Sequence, residues 1–140
     1  MDAARRGAGV NRRTAIAAAV AGWGGAVRSE DVAEQRWLEA AEAMRQRALS
    51  WGDQPYGAVL VLDGAIVGEG PSRAVLNNDP AAHAEREAIR DAQQRLGRQR
   101  LAGSVLYSTS RPCALCREAA SEAGVSRMVF GVHVGSAARP

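Results

Sequence analysis

Asp63-Gly64 stands between two short apolar runs, Gly57-Ala58-Val59-Leu60-Val61-Leu62 and Ala65-Ile66-Val67-Gly68. A two-residue loop of this kind needs positive φ, which Asp followed by Gly tolerates and which matches the twist of paired strands. The two runs are therefore predicted to form a hairpin, so the sheet begins antiparallel. Upstream, Trp37, Ala41, Met44, Ala48 and Trp51 recur at spacings of 4, 3, 4 and 3, which lines one apolar face of a helix. That helix is expected to start with Ser29 as its cap and with Glu30 and Asp31 near its positive end. It should stop at Gly52-Asp53-Gln54-Pro55, and both tryptophans are assigned to the core.

Asn78-Asp79-Pro80 reads as the start of a second helix, with a capping side chain and a proline where its missing N–H costs nothing. This helix is predicted from Ala81 to Leu96, ending near Gly97. A third strand is expected over Ser104 to Thr109, a third helix from Cys113 to about Ala123, and a fourth strand over Arg127 to Val132. The order is α-β-β-α-β-α-β. The last two strands are joined through a helix and should run parallel, giving an α/β fold with a mixed sheet of about four strands and helices on its faces.

At 140 residues the chain has the length of one domain. Its hydrophobic fraction of 46% and charged fraction of 24% fit a soluble globular protein and are too polar for a membrane bundle. All 18 basic residues are arginine, a bias that reflects genome composition more than chemistry. Residues 1–28 carry a net charge of +4, whereas residues 29–140 carry −1. A near-neutral domain disfavours a nucleic-acid partner. The first 28 residues form a separate N-terminal segment, and the domain is placed at 29–135. In that segment Arg12-Arg13, the uncharged stretch Ala15 to Val27 and the small residues Ala19-Val20-Ala21 fit a twin-arginine export signal. Gly22, Gly24 and Gly25 weaken its hydrophobicity and fit a disordered start equally. A cytoplasmic and an exported location both stay open.

Chemistry concentrates in two short segments. His83-Ala84-Glu85 opens the second helix, and Arg111-Pro112-Cys113-Ala114-Leu115-Cys116 lies where the third strand turns into the third helix. Cys113 and Cys116 are three apart, so their sulfurs share a helix face, and a helix N-terminus lowers thiol pKa. One imidazole added to two thiolates gives the ligand count of a zinc site that keeps a fourth position for water. Such a water needs a base that is not a ligand, and Glu85 is the nearest candidate. Residues two apart point to different faces of a regular helix, so His83 is expected in an irregular first turn. The CxxC alone would also suit a dithiol redox pair; His-Ala-Glu upstream favours the metal. His133 is read as an ordinary residue near the C-terminus.

His-Ala-Glu followed about thirty residues later by Pro-Cys-x-x-Cys resembles the cytidine deaminase superfamily of zinc enzymes. The resemblance runs from about Trp37 to Gly131, through Pro55-Tyr56-Gly57-Ala58-Val59, Asn78-Asp79-Pro80 and Leu106-Tyr107-Ser108-Thr109. Within the superfamily it is similar to the bacterial guanine, cytosine and tRNA adenosine deaminase branch. It implies a three-layer fold with one catalytic Zn2+ held by His83, Cys113 and Cys116, and Glu85 moving protons between water, ring nitrogen and leaving ammonia. It also implies substrate contacts at Ala84 through its backbone N–H, and at Asn78, Ser72 and Pro112. Asn78 has an equal reading as the residue before a cap. Ser72 stands where the branch commonly has asparagine, Arg111 where it often has glutamate, and Ser121 and Glu122 where it has aromatic residues. The chain stops at Pro140, so a C-terminally shortened version of the fold is expected, without the fifth strand and last helix of relatives. The substrate expected from all this is a free nucleobase or nucleoside of guanine or cytosine type. The alternatives are a tRNA adenosine and a zinc-binding homologue without catalysis. The resemblance also implies a homodimer.

Overall fold

In the computed structural model, which describes residues 28–131, the seven elements follow the expected order. They are α1 (Ser29–Ser50), β1 (Gly57–Leu62), β2 (Ala65–Pro71), α2 (Ala84–Leu96), β3 (Val105–Ser108), α3 (Ala114–Ala123) and β4 (Arg127–Phe130). Residues 1–27 of the N-terminal segment, with Arg12-Arg13, and Val132 and His133 lie outside the described residues. The strands form one sheet in the order β2-β1-β3-β4. β1 pairs antiparallel with β2 and with β3, and β3 pairs parallel with β4 across the α3 crossover. Asp63 and Gly64 turn the hairpin with φ of 51° and 72°, the double left-handed geometry that makes Asp-Gly fit there.

Alternation along the strands sorts the core into two layers. Val59, Val61 and Tyr107 face α1 and pack on Trp37, Ala41 and Met44. Ala58, Leu60 and Leu106 face the opposite way, onto Ala84, Ala88 and Ala92 of α2 and Ala120 and Ala123 of α3. The result is a helix–sheet–helix sandwich of three layers.

Three expectations need correction. The helix predicted from Ala81 begins only at Ala84. Asn78 takes a left-handed φ of 48°, and the Asp79 carboxylate accepts the Ala81 N–H at 2.9 Å, a local turn that competes with helix. Ser29 is already inside α1, with Arg28 at the cap and no side-chain capping bond. Trp51 is not core: it lies 40% exposed, its ring 4.7 Å from the Arg73 guanidinium carbon. It sits just past the end of α1, at the C-cap, beyond the last turn that reaches the sheet.

The seat of α2 depends on two glycines. Gly68 and Gly70 sit on the β2 face below the helix, where an added Cβ would overlap the carbonyl oxygens of Ala88 and Ala84 respectively. Three alanines one turn apart, Ala84, Ala88 and Ala92, all fully buried, bring the helix backbone down onto that strand. Gly70→Ala is therefore expected to destabilise the fold by about 3 kcal/mol, the upper range for overpacking against an element that cannot move aside. Its urea midpoint should drop with an unchanged slope.

Candidate active site

The residues on either side of this seat carry the site. His83 is the N-cap of α2, with extended φ and ψ of −68° and 152°, so it leaves the helix line while Glu85 stays in the first turn. This resolves the two-residue spacing: the imidazole and the carboxylate reach one point from different directions. Cys113 takes the same position on α3, again extended as N-cap, and Cys116 lies in its first turn.

His83 Nδ1 lies 3.5 Å from the sulfur of Cys113 and 3.5 Å from that of Cys116, and the two sulfurs are 3.3 Å apart. A tetrahedral ion with bonds of about 2.0–2.3 Å spaces its nitrogen and sulfur donors by about 3.5 Å and its sulfurs by about 3.8 Å. The nitrogen–sulfur distances match, and the sulfur pair is about half an ångström inside. All three donor atoms lie within 4.8 Å of one another, and a His/Cys2 set is the soft, borderline chemistry that zinc selects. The residues fit the ion.

The two thiols differ. Burial pushes the Cys113 thiol up, but hydrogen bonds from the Cys116 N–H and thiol and from His83, together with the His83 charge, bring it down to about 7. Cys116 is buried, and burial, followed by the neighbouring Cys113 and Glu85, drives its thiol well above the ordinary range. A bound cation supplies the compensating charge that lets both act as thiolates.

Glu85 is only 4% exposed. Ser108, at the end of β3, donates its hydroxyl to Glu85 Oε1 at 2.7 Å, and Oε2 lies 3.7 Å from the Cys116 sulfur. The carboxylate is thus held by one oxygen with the other turned toward the Cys116 sulfur. His83, Glu85 and Cys113 open onto a cavity of about 760 Å³, whose remaining wall is Gln54, Pro55, Tyr56, Ser110 and Arg111.

The four expected substrate contacts are not part of that wall. Ser72 is 1% exposed and donates its hydroxyl to Asp53 at 2.9 Å. Asn78 is exposed on the left-handed turn. Ala84 and Pro112 are buried beside the metal ligands, and Ser121 and Glu122 are exposed on α3. Asp53 reads in sequence only as part of the turn that ends α1, with no sign of its role beside the cavity. Its buried carboxylate accepts the N–H groups of Gln54, Val75 and Leu76 at 2.7, 3.1 and 2.8 Å as well as the Ser72 hydroxyl. Burial alone would raise its pKa, but these donors hold it below the usual aspartate value. It ties the cavity's Gln54 edge to the segment after β2. On α2, exposed Arg90 pairs with the buried Glu87, and exposed Arg95 pairs with Asp91 and Glu69.

Comparison with known proteins agrees with this geometry. The chain is similar to the tRNA-specific adenosine deaminase of Haemophilus influenzae, 38% identical over 106 residues that make up 75% of this chain and 60% of the relative. It superposes on the guanine deaminase of Bacillus subtilis with a TM-score of 0.66 at 36% identity, covering 69% of this chain and 62% of the other. A structure from work on A-to-I editing deaminases acting at the wobble position of transfer RNA gives a TM-score of 0.67 at 39% identity, covering 69% and 70%. The chain spans 49%, 60% and 62% of the length of three curated relatives it matches. Residues 31–132 match the model of the cytidine and deoxycytidylate deaminase zinc-binding region. With its His/Cys2 cluster set against a buried glutamate in a three-layer fold, this chain belongs to that zinc-binding deaminase family.

Proposed function

We propose that the chain catalyses hydrolytic deamination of a purine, and that the purine is an adenine carried on an RNA. The observation that carries the chemistry is the buried Glu85 carboxylate, anchored by Ser108 and facing the metal ligands at the edge of an open cavity. Zinc, which His83, Cys113 and Cys116 would hold, would supply the Lewis acid that lowers the pKa of a water. Glu85 accepts one proton from the attacking water as the water oxygen bonds to the carbon bearing the amine, and passes it to the ring nitrogen. Glu85 then takes the second proton from the new hydroxyl and hands it to the departing nitrogen, so that amine and water become carbonyl and ammonia. Tyr56, in the cavity wall, offers an aromatic face on which a base can stack.

The choice of base rests on the relatives. The tRNA-specific adenosine deaminase of Haemophilus influenzae matches three quarters of the chain, and the structural likeness to the wobble-position deaminases points the same way. This reverses the preference for a free guanine or cytosine that the near-neutral charge of the domain suggested. A second reading is favoured by the superposition on guanine deaminase: free guanine as substrate.

The test is ammonia release by the zinc-loaded chain from an RNA hairpin with an adenine in its loop, set beside guanine, cytosine, adenine and their nucleosides. Release from the hairpin is expected. Release from guanine alone would replace the RNA reading with the second one, and silence across the whole set would overturn both.

A further inference from the structure

Among the described residues, Arg111 is the one guanidinium in the wall of the active-site cavity. Among the described residues it forms no ion pair with a carboxylate. Its guanidinium carbon lies instead 5.7 Å from the ring centroid of Phe130, at the end of β4. A ring face attracts the cation without using its N–H donors, so the donor fork of Arg111 stays free for an oxyanion. Arg111 is two residues before Cys113, which keeps their Cα atoms within about 7 Å. A base seated at His83 and Cys113 therefore shares one cavity with this guanidinium. Among the described residues the only carboxylate in the wall, Glu85, is buried and tied to Ser108, so it leaves the Arg111 charge unneutralised.

We propose that Arg111 anchors a phosphate of the substrate, so that this cavity selects a phosphate-bearing purine, a nucleotide or a polynucleotide, over a free base or nucleoside. The inference rests on the reading of the cavity as a deaminase substrate site and specifies the ligand it takes. Arginine meets a phosphate with two parallel charge-assisted bonds, a contact made equally by a mononucleotide and by an RNA backbone.

The experiment measures dissociation constants of adenosine, adenosine monophosphate and the RNA hairpin for the full zinc-loaded chain and for Arg111→Ala, Arg111→Lys and Arg111→Glu. Ammonia release is followed in parallel. Arg111→Ala should weaken a phosphate-bearing ligand about 10- to 100-fold and leave adenosine within about twofold. Arg111→Glu should weaken it further, and Arg111→Lys should keep part of the affinity as a point charge without the fork. An effect on the monophosphate assigns the contact to a nucleotide's own phosphate; an effect on the hairpin alone assigns it to a flanking backbone phosphate. Equal losses for adenosine and the phosphate-bearing ligands, no loss for any of them, or no binding of either phosphate-bearing ligand by the unaltered chain would each overturn the proposal. Arg111-dependent binding without ammonia from any compound would sink the deaminase reading and leave the phosphate contact standing. Ammonia release with affinities indifferent to Arg111 would do the reverse.

Discussion

Glu85→Gln should keep its zinc and lose turnover by about 10²- to 10⁴-fold, the range a positioned general acid–base contributes. The amide has the shape of the carboxylate and can still accept the Ser108 hydroxyl bond of 2.7 Å, so the start of α2 and its seat on Gly70 should survive. What the amide cannot do is take a proton from water and return it to the departing nitrogen. Zinc content is the readout that separates roles, because the three ligand atoms cluster without Glu85. Full zinc with lost turnover places Glu85 as the proton carrier. Zinc lost together with turnover would make it a ligand, and turnover retained would move the base elsewhere.

The parts of this site that sequence exposes are those fixed by short-range geometry. Asp63-Gly64 demands its hairpin, and the spacing of Trp37, Ala41 and Met44 marks the buried side of α1, because both signals depend on neighbours a few residues apart. The metal ligands are legible for a related reason: Cys113 and Cys116 are one turn apart, and His83 and Glu85 two residues apart, so each half of the cluster is local. The cavity wall is different. Gln54, Pro55 and Tyr56 face Ser110 and Arg111 because β1 and β3 pair antiparallel with Ala58 opposite Ser108, which sets residues just before β1 beside residues just after β3. That register joins positions about fifty apart, and no local pattern specifies it. Ser108 reaches Glu85 for the same reason, through β3 ending under the first turn of α2. Asp53 read as part of a helix-ending turn; only the return of the chain after β2 brings Val75 and Leu76 to its carboxylate. Trp51 was assigned by periodicity to a face that continues past the sheet, and there the hydrophobic signal has no partner to meet.

The contest between a metal clip and a dithiol pair comes down to Cys116. Cys116→Ala removes the buried member of the ligand set, 1% exposed, and leaves a nitrogen and one sulfur. Partners that merely orient a ligand cost 10- to 100-fold in metal affinity when removed, so loss of a direct ligand should exceed about 100-fold. Zinc present at 100 times its dissociation constant stabilises the unaltered chain by about 2.7 kcal/mol, and this margin should vanish in the variant. Thermal unfolding with and without a chelator measures it: the unaltered chain should lose stability when zinc is stripped, and Cys116→Ala should be indifferent. Alanine is chosen over serine because a hydroxyl at this buried position would find new partners in His83 and Glu85. A redox pair predicts the opposite pattern. The unaltered chain would then ignore the chelator, carry no zinc, and form a Cys113–Cys116 disulfide under mild oxidant, which the 3.3 Å sulfur separation leaves open to it. Resistance of both thiols to oxidation until zinc is chelated would exclude that alternative, because the ion occupies the sulfurs that a disulfide must join.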